Sequence, residues 1–204
     1  MYKRQVLKDG PIKAISDLKG KKVGFSVGGF EEALLSGMLQ KYNLNMSDVD
    51  LVNINFSLSP SLIAKKVDAV IGAFRNFELN QMDIVNHPGK AFYPEEHGVP
   101  TYEELIYIAN QKNKNNPLFD KFFSAIQKAT LTIINDPVSS WKDFSSYRKG
   151  LDDELNKRAY KDTISRFALR PQAHDLKTYT NFSKFLEKKG IIKKITKVET
   201  FAKP

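Results

Sequence analysis

Short apolar runs alternate with amphipathic segments over the first part of the chain. Residues 22–27, 49–55 and 68–74 have the length and composition of β-strands, and the third run is apolar at every position after Asp68. A continuous apolar run is typical of a strand that is buried on both faces of a parallel sheet. Strands that alternate with helices through short connections predict an open α/β sheet with right-handed crossovers.

Helical spacing of apolar residues separates these strands. Phe30, Leu34, Met38 and Tyr42 recur every four residues and predict a helix with one face on the core. A second helix is predicted to start at residues 59–61, where a proline follows a serine that is suited to the N-cap.

Beyond residue 117 the pattern is helical almost throughout. Helices are predicted over residues 117–136, where Pro137 ends the helix, and over residues 151–169 and 175–190, with Gly190 as the C-terminal cap of the last. An extended run is predicted at residues 91–94 and a further strand at residues 105–110. These helices have apolar faces but no sheet of their own, so they need another apolar surface to pack against. In addition, the opening residues match no natural domain start. We therefore expect a piece of a longer protein whose N-terminal part is left out.

The first candidate site lies at the turn between the first of these strands and the first helix, in the sequence KKVGFSVGGFEE. Gly28 and Gly29 can adopt positive φ or allow another molecule to approach closely, and the helix start presents backbone N–H groups. Ligands of open α/β sheets bind at such turns, beyond the carboxyl ends of the strands. The alternative is that the two glycines only form a sharp turn.

The second candidate loop follows the apolar strand of residues 68–74, in the sequence GAFRNFELNQM. Phe74, Asn76, Phe77 and Glu78 come just after the carboxyl end of that strand. This end is expected at the same edge of the sheet as the first turn. Two polar and aromatic loops at one edge predict a cleft.

The composition excludes several kinds of catalytic and metal-binding site. The chain has 204 residues, 41% of them hydrophobic, and no cysteine, which excludes disulfides, thiolate nucleophiles, zinc–thiolate sites and iron–sulfur clusters. The three histidines, His87, His97 and His174, are scattered. No nucleophile–base arrangement is visible, so we predict no catalytic residues, no metal site and no cofactor.

The positive net charge does not indicate a nucleic-acid-binding protein. The formal net charge is +9, but the lysines are spread along the chain among acidic residues and no nucleic-acid motif accompanies them. A solvated basic surface is the favoured interpretation. The sequence starts without a signal peptide and contains no apolar run long enough to span a bilayer.

Three segments together carry a family resemblance: IKAISDLKGKKVGFSVGGFEEALL, DAVIGAFRNFEL and EEHGVPTYEELIYIAN. They resemble the substrate-binding proteins of ABC importers in the family named after the yeast thiamine-pyrimidine synthases, in particular its bacterial pyrimidine-precursor carriers. The resemblance implies an α/β type 2 periplasmic binding protein fold, in which two lobes close over a ligand. It implies that residues 1–16 cross the hinge, that residues 17–110 form a complete second lobe, and that residues 111–204 return as helices to a mostly missing first lobe.

The resemblance also assigns the two loops to the ligand. Aromatic rings stack on a flat pyrimidine, and carboxylates or amides bind its amine and ring nitrogens. It implies that Glu78 binds the amine, that Phe74 contacts the ring and that Asn76 binds a polar substituent, while the glycines offer N–H groups to an acceptor. The full predicted ligand set is Ser26, Gly28, Gly29, Phe30, Glu31, Phe74, Asn76 and Glu78.

Structural roles are open for several of these residues. Phe30 can equally anchor its helix in the core, and Glu31 and Glu32 can serve as first-turn charges that the helix dipole favours. Asn76 and Glu78 can cap the following helix.

The function implied is that of a carrier, not an enzyme. It would bind a thiamine pyrimidine precursor, of the hydroxymethylpyrimidine or formylaminopyrimidine type, and deliver it to the membrane permease subunits of an ABC importer. It would work in the periplasm or lipid-anchored outside the cytoplasm. One alternative is a sulfonate carrier, which would need clustered donors and a cation, and Arg75 is the only basic side chain in these loops. Others are a sensor domain and a pyrimidine synthase, although the synthases carry a cysteine-rich motif that this chain lacks.

Overall fold

The computed structural model describes residues 2–171 and 173–202. A five-stranded sheet with the order β3-β2-β4-β1-β5 lies at its centre. The strands are β1 (Tyr2–Leu7), β2 (Lys22–Phe25), β3 (Asp50–Asn53), β4 (Ala69–Phe74) and β5 (Gly89–Phe92). β2 pairs in parallel with β3 and β4, whereas β1 is antiparallel to β4 and β5. The carboxyl ends of β2, β3, β4 and β5 therefore meet at one edge, which we call the carboxyl edge.

Three helices connect the strands on the two faces of the sheet: α1 (Phe30–Gln40), α2 (Leu58–Ile63) and α3 (Glu78–Ile84). The apolar stripe of α1 is confirmed, because Leu34 and Met38 are fully buried in the core on one face. Leu58 of α2 and Met82 of α3 belong to a second core on the other face.

β4 separates these two cores. Side chains alternate between the faces over residues 69–71, so Ala69 and Ile71 enter the first core and Val70 enters the second. The pairing with β1 shifts register between Val70 and Ala73, where Gly72 has a φ of 99°, and Ala73 therefore also enters the second core. The prediction of a strand buried on both faces is thus confirmed.

The C-terminal part is helical, as predicted, with some different boundaries. Its helices are α4 (Leu118–Asn135), α5 (Pro137–Tyr147), α6 (Glu154–Ile164) and α7 (Leu176–Lys188). α5 was not predicted from the sequence, and it begins at Pro137, where the Asp136 side chain accepts a hydrogen bond from the Ser139 N–H. α6 is shorter than predicted at both ends.

The predicted strand at residues 105–110 is wrong. These residues have no regular secondary structure and pair with no described strand, and Leu105 and Ile108 are 82% and 89% exposed. An apolar run of strand composition becomes a strand only where a sheet edge accepts it. In the described residues, no helix combines the length and the apolar character needed to cross a membrane.

Candidate ligand-binding site at the carboxyl edge

The two predicted loops lie side by side. β2 and β4 are parallel neighbours, with Val23 opposite Ala69 and Gly24 opposite Val70. The turn after β2 and the turn after β4 therefore leave the sheet at the carboxyl edge. The Glu31 carboxylate lies directly against Gly72, at a place where a Cβ atom on residue 72 would overlap it. The close approach that a glycine permits thus joins the first loop to β4.

Glu31 is turned into the protein. Its side chain is only 1% exposed, and its Oε2 atom accepts hydrogen bonds from the N–H groups of Ser26 at 2.8 Å and Val27 at 3.2 Å. Burial raises the pKa of this carboxyl, the two backbone hydrogen bonds oppose the rise, and the charge of Glu104 adds to it. The Glu31 carboxylate is therefore bonded within its own loop, and its direct contact with a ligand stays a prediction.

A second carboxylate, that of Glu32, caps the N-terminus of α1. Oε2 of Glu32 accepts a hydrogen bond from the Gly29 N–H at 3.1 Å. Gly29 has a positive φ of 77°, and its N–H group is bonded to Glu32, while its contact with a ligand stays a prediction. Gly28 is exposed at the tip of the turn, and its ligand contact stays a prediction.

Ser26 connects the turns after β2 and β3. Its hydroxyl oxygen accepts a hydrogen bond from the backbone N–H of Phe56 at 3.1 Å. Sequence reasoning missed Phe56, because nothing in the local pattern places the turn after β3 next to Ser26.

Glu78 is the buried carboxylate of the second loop. Its side chain is 8% exposed, and its Oε2 atom accepts a hydrogen bond from the Phe74 N–H at 2.6 Å. As the first residue of α3 it lies at the carboxyl edge and does not face bulk solvent. This contact closes the loop on itself, which is close to the capping alternative, and the role in binding an amine stays a prediction.

Asn76 is held by the C-terminal helices. Its Nδ2 atom donates a hydrogen bond to the Thr163 hydroxyl of α6 at 2.6 Å, and Asn80 donates to Asp162 at 2.8 Å. The Asn76 amide is thus engaged by a residue that the sequence analysis did not connect to it. A contact with a polar substituent of the ligand would use the remaining amide oxygen.

The cation of the second loop is neutralised within the protein. The Arg75 guanidinium forms an ion pair with Glu95 at 2.5 Å and lies 4.1 Å from the ring centroid of Tyr93. The side chains of Arg75 and Glu95 are 14% and 24% exposed. The positive charge of this loop is therefore largely compensated before any ligand arrives.

Phe30 belongs to an aromatic cluster with Tyr102 and Phe182. Its ring meets them edge-on at centroid distances of 5.8 and 6.1 Å, and Tyr102 and Phe182 stack at 4.5 Å. Because Phe30 is half-buried in this cluster, the contacts favour its anchoring role. Sequence reasoning missed the two partners, which come from distant parts of the chain.

One cavity lies away from the two candidate loops. It measures about 500 Å³ and is lined by residues such as Val6, Leu62, Val67 and His87, at the edge opposite the two loops. We place the candidate site at the carboxyl edge, because there buried carboxylates and aromatic rings from separate loops converge. Within the part of the chain that the structure describes, no group of His, Asp and Glu could hold a metal ion, and the absence of a cofactor stays a prediction.

Comparison with solved structures defines the class of protein. The periplasmic aliphatic sulphonate-binding protein SsuA from Escherichia coli matches with a TM-score of 0.70 over 100% of this chain and 65% of that chain, at 14% identity. The fold is that of the periplasmic binding proteins. A family model described as NMT1/THI5 like matches residues 2–140, and the chain belongs to this family.

The relatives have names that mention thiamine or pyrimidines. A Haemophilus influenzae protein named for thiamine biosynthesis is 46% identical over 97% of this chain and 63% of its own length. A 4-amino-5-hydroxymethyl-2-methylpyrimidine phosphate synthase of Schizosaccharomyces pombe is 25% identical over 91% of this chain and 56% of its own length. A formylaminopyrimidine-binding protein of Halalkalibacterium halodurans is 27% identical over 60% of this chain and 38% of its own length. The chain thus spans less than two thirds of the length of the curated relatives that it matches.

Proposed function

We propose that this protein is the solute-binding component of an ABC importer and that it captures a thiamine pyrimidine precursor of the hydroxymethylpyrimidine or formylaminopyrimidine type. The family, the periplasmic binding fold and the name of the Halalkalibacterium relative support this proposal. Such a carrier works outside the cytoplasm, in the periplasm or on a lipid anchor, and delivers its ligand to the membrane permease subunits.

The observation that carries the choice of ligand is the negative character of the carboxyl edge. A helix N-terminus beside a loop is normally an anion site, because its N–H groups are free to bind. Here the carboxylates of Glu31 and Glu32 take the N–H groups of Ser26, Val27 and Gly29. A sulfonate at this place would lie near two carboxylates that already hold these donors, whereas a neutral ring carries no negative charge for them to repel.

The second loop favours the same choice. Arg75 is the one basic side chain in the two loops, and Glu95 already pairs with it. Glu78 supplies a further carboxylate at the same edge. An amine-bearing heterocycle therefore suits this edge better than the sulfonate alternative.

We further propose that residues 17–110 form one lobe of the binding protein, that residues 1–16 cross the hinge, and that residues 111–204 pack against the other lobe. Large apolar side chains of residues 105–108 and of α4, such as Leu118 and Phe122, are exposed in this structure. A contiguous set of exposed apolar side chains marks a contact surface. A first lobe that covers them would complete the ligand cleft from the other side.

The second candidate function is pyrimidine synthesis, which the Schizosaccharomyces pombe relative favours. The resemblance assigns a cysteine-rich metal motif to the synthase branch of the family. The sequence contains no cysteine and cannot supply that motif. The carrier is therefore the better supported of the two.

Ligand binding tests the proposal directly. Thermal unfolding and calorimetry of the whole gene product would be followed with hydroxymethylpyrimidine, formylaminopyrimidine and an alkanesulfonate. We expect an aminopyrimidine at 100 times its Kd to stabilise the protein by about 2.7 kcal/mol, and the sulfonate to have no effect. A response to the sulfonate alone would overturn the choice of ligand, and conversion of the pyrimidine into a new product would favour the synthase.

Variants of Glu78 test whether this residue binds the aminopyrimidine. Glu78→Gln keeps an oxygen for the Phe74 N–H but removes the charge, so we expect the fold to persist while the aminopyrimidine affinity falls. Glu78→Ala should abolish the ligand-induced stabilisation. Glu96→Gln is the matched control, since Glu96 is exposed beyond β5, and it should bind as the wild type does. Unchanged affinity in Glu78→Gln and Glu78→Ala would exclude Glu78 from the site.

A further inference from the structure

Phe56 is an exposed aromatic residue at the carboxyl edge. It follows β3 by three residues, and 73% of it is exposed. The aromatic rings predicted from the sequence, Phe30 and Phe74, are by contrast half-buried. A large apolar ring that faces water at the edge where the two candidate loops converge needs a reason, because exposure of apolar surface is unfavourable.

The backbone of Phe56 is strained. Its φ is 64°, in the left-handed region, and the preceding Asn55 has a φ of 46°. Asparagine adopts this conformation fairly readily, but for a bulky residue it is an outlier. Strain of this kind persists only where surrounding contacts enforce it, and it concentrates at binding sites.

Hydrogen bonds enforce this conformation from two sides. The Phe56 N–H donates to the Ser26 hydroxyl at 3.1 Å, and the Ser57 N–H donates to the Ile54 carbonyl at 2.8 Å. Ile54 itself is buried against Gly24 of β2. The turn is therefore fixed beside the first candidate loop and holds its ring outward.

We propose that Phe56 is a ligand-stacking residue, whose ring covers one flat face of the heterocycle held between the two candidate loops. This inference rests on the proposed function and deepens it. Aromatic rings stack favourably on flat heterocycles, and a ring held by a braced turn needs little ordering when the ligand binds. Ser26 then acts as a positioning residue, because its hydroxyl holds the Phe56 backbone in place and does not itself need to reach the ligand.

Measurements of ligand affinity and thermal stability distinguish a stacking role of Phe56 from a role in folding. Hydroxymethylpyrimidine is the probe, measured by calorimetry with the whole gene product. Phe56→Gly removes the ring and relieves the left-handed strain, so we expect the thermal midpoint to stay constant or rise while Kd increases about 3- to 10-fold. A ring needed only for folding would lower the midpoint instead. Phe201→Ala, which removes another exposed phenylalanine after α7, is the matched control and should leave Kd unchanged.

A fluorescent variant tests directly whether the ligand contacts the side chain at position 56. Trp141 is the only tryptophan among residues 1–204, so Phe56→Trp in a Trp141→Phe background leaves one indole in this part of the protein, and its signal is the difference from Trp141→Phe alone. We expect its emission to be quenched when the pyrimidine binds, with affinity close to that of the wild type.

Two results would overturn the inference while leaving the carrier proposal intact. The first is a wild-type Kd in Phe56→Gly together with unchanged indole emission on ligand binding. The second is a wild-type Kd in Phe56→Gly with uptake lost in cells, which would assign Phe56 to contact with the permease. A wild-type protein that binds no aminopyrimidine at all would instead refute the proposed function.

Discussion

Glu31 and Gly72 are in contact between the two candidate loops. The carboxylate lies where any side chain at position 72 would stand, and Gly72 has a φ of 99° that disfavours other residues. Glu31 in turn fixes the turn after β2 through the N–H groups of Ser26 and Val27. Two residues separated by 41 positions thus set the shape of the edge on which the proposed site is built.

Replacement of Gly72 tests this contact. Gly72→Ala should cost about 1–2 kcal/mol for the left-handed backbone and about 1–3 kcal/mol more for displacement of the Glu31 carboxylate, measured by urea denaturation. Gly20→Ala is the matched control. Gly20 also has a positive φ, at 71°, but a Cβ there meets no atom within 4 Å, so only the backbone strain applies. Equal losses in both variants would mean that the Glu31 contact contributes nothing.

The buried Glu31 also predicts a pH dependence. Burial raises the pKa of this carboxyl above its usual value of 4.5. The folded state therefore holds the proton more tightly than the unfolded state, so this stabilisation is complete below pH 4.5 and is lost as the pH rises through the folded-state pKa. The wild type should accordingly lose stability relative to Glu31→Gln from pH 4.5 upward, by about 1.4 kcal/mol per unit of pKa difference.

Asp17→Asn provides a comparison of opposite sign. Hydrogen bonds from the N–H groups of Lys13 and Ala14 lower the pKa of Asp17 below 3.8. Its contribution to stability should be present above pH 3.8 and be lost as the pH falls through the folded-state pKa. Denaturation curves of the three proteins across this range would measure both trends, and a constant difference between the wild type and Glu31→Gln would contradict the argument.

At the scale of elements, the C-terminal helices are attached to the sheet region at two places. α7 packs on α1 through Phe182 and Phe185, and a Cβ on Gly37 of α1 would stand 2.9 Å from the Phe185 ring. α6 contacts the second loop through Asn76–Thr163 and contacts α3 through Asp83–Arg158. Both contacts place the C-terminal helices next to the candidate loops.

Phe182→Ala measures the attachment of α7. The variant removes the stacking on Tyr102 and the edge contact with Phe30, and we expect it to lower the free energy of unfolding by about 2–3 kcal/mol, since Phe182 is only half-buried. Phe201→Ala deletes an exposed ring and should change stability by less than about 0.5 kcal/mol. Similar small effects of both variants would indicate that α7 does not depend on this cluster.

At the scale of the whole molecule, residues 105–110 join the sheet region to the C-terminal helices without secondary structure of their own. The segment is apolar and exposed, and the rings of Tyr107 and Phe122 of α4 meet edge-on at 5.3 Å. An exposed, unpaired segment of this kind is open to a protease.

Limited proteolysis tests this arrangement. Chymotrypsin should cut first after Leu105 or Tyr107, which are exposed, and much later after Phe92, which is buried in β5. Mass spectrometry of the first fragments identifies the site. If a first lobe covers these side chains, as proposed, the same bonds should be cut more slowly in the whole gene product than in residues 1–204 alone. An initial cut within the sheet would contradict the structure.

The local sequence pattern was sufficient for much of the sheet region and for the position of the candidate edge. Apolar strands with helices between them predict parallel neighbours, and parallel neighbours bring their carboxyl ends together. The strand of residues 68–74 and the apolar stripe of α1 were correct for this reason. The motifs of residues 12–35, 68–79 and 95–110 were also sufficient to indicate the family, since they are short, contiguous stretches of sequence.

Only the tertiary structure decided how individual side chains are used. Glu31 turns inward onto Gly72, Asn76 bonds to Thr163, and Phe56 is braced by Ser26. Each pair joins residues that are 30 to 87 positions apart. Local periodicity reports which face of an element is apolar, but it cannot report which distant group will meet a given polar side chain. For the same reason, residues 105–110 have the composition of a strand and yet pair with no described strand, because pairing requires a partner edge that only the folded chain provides.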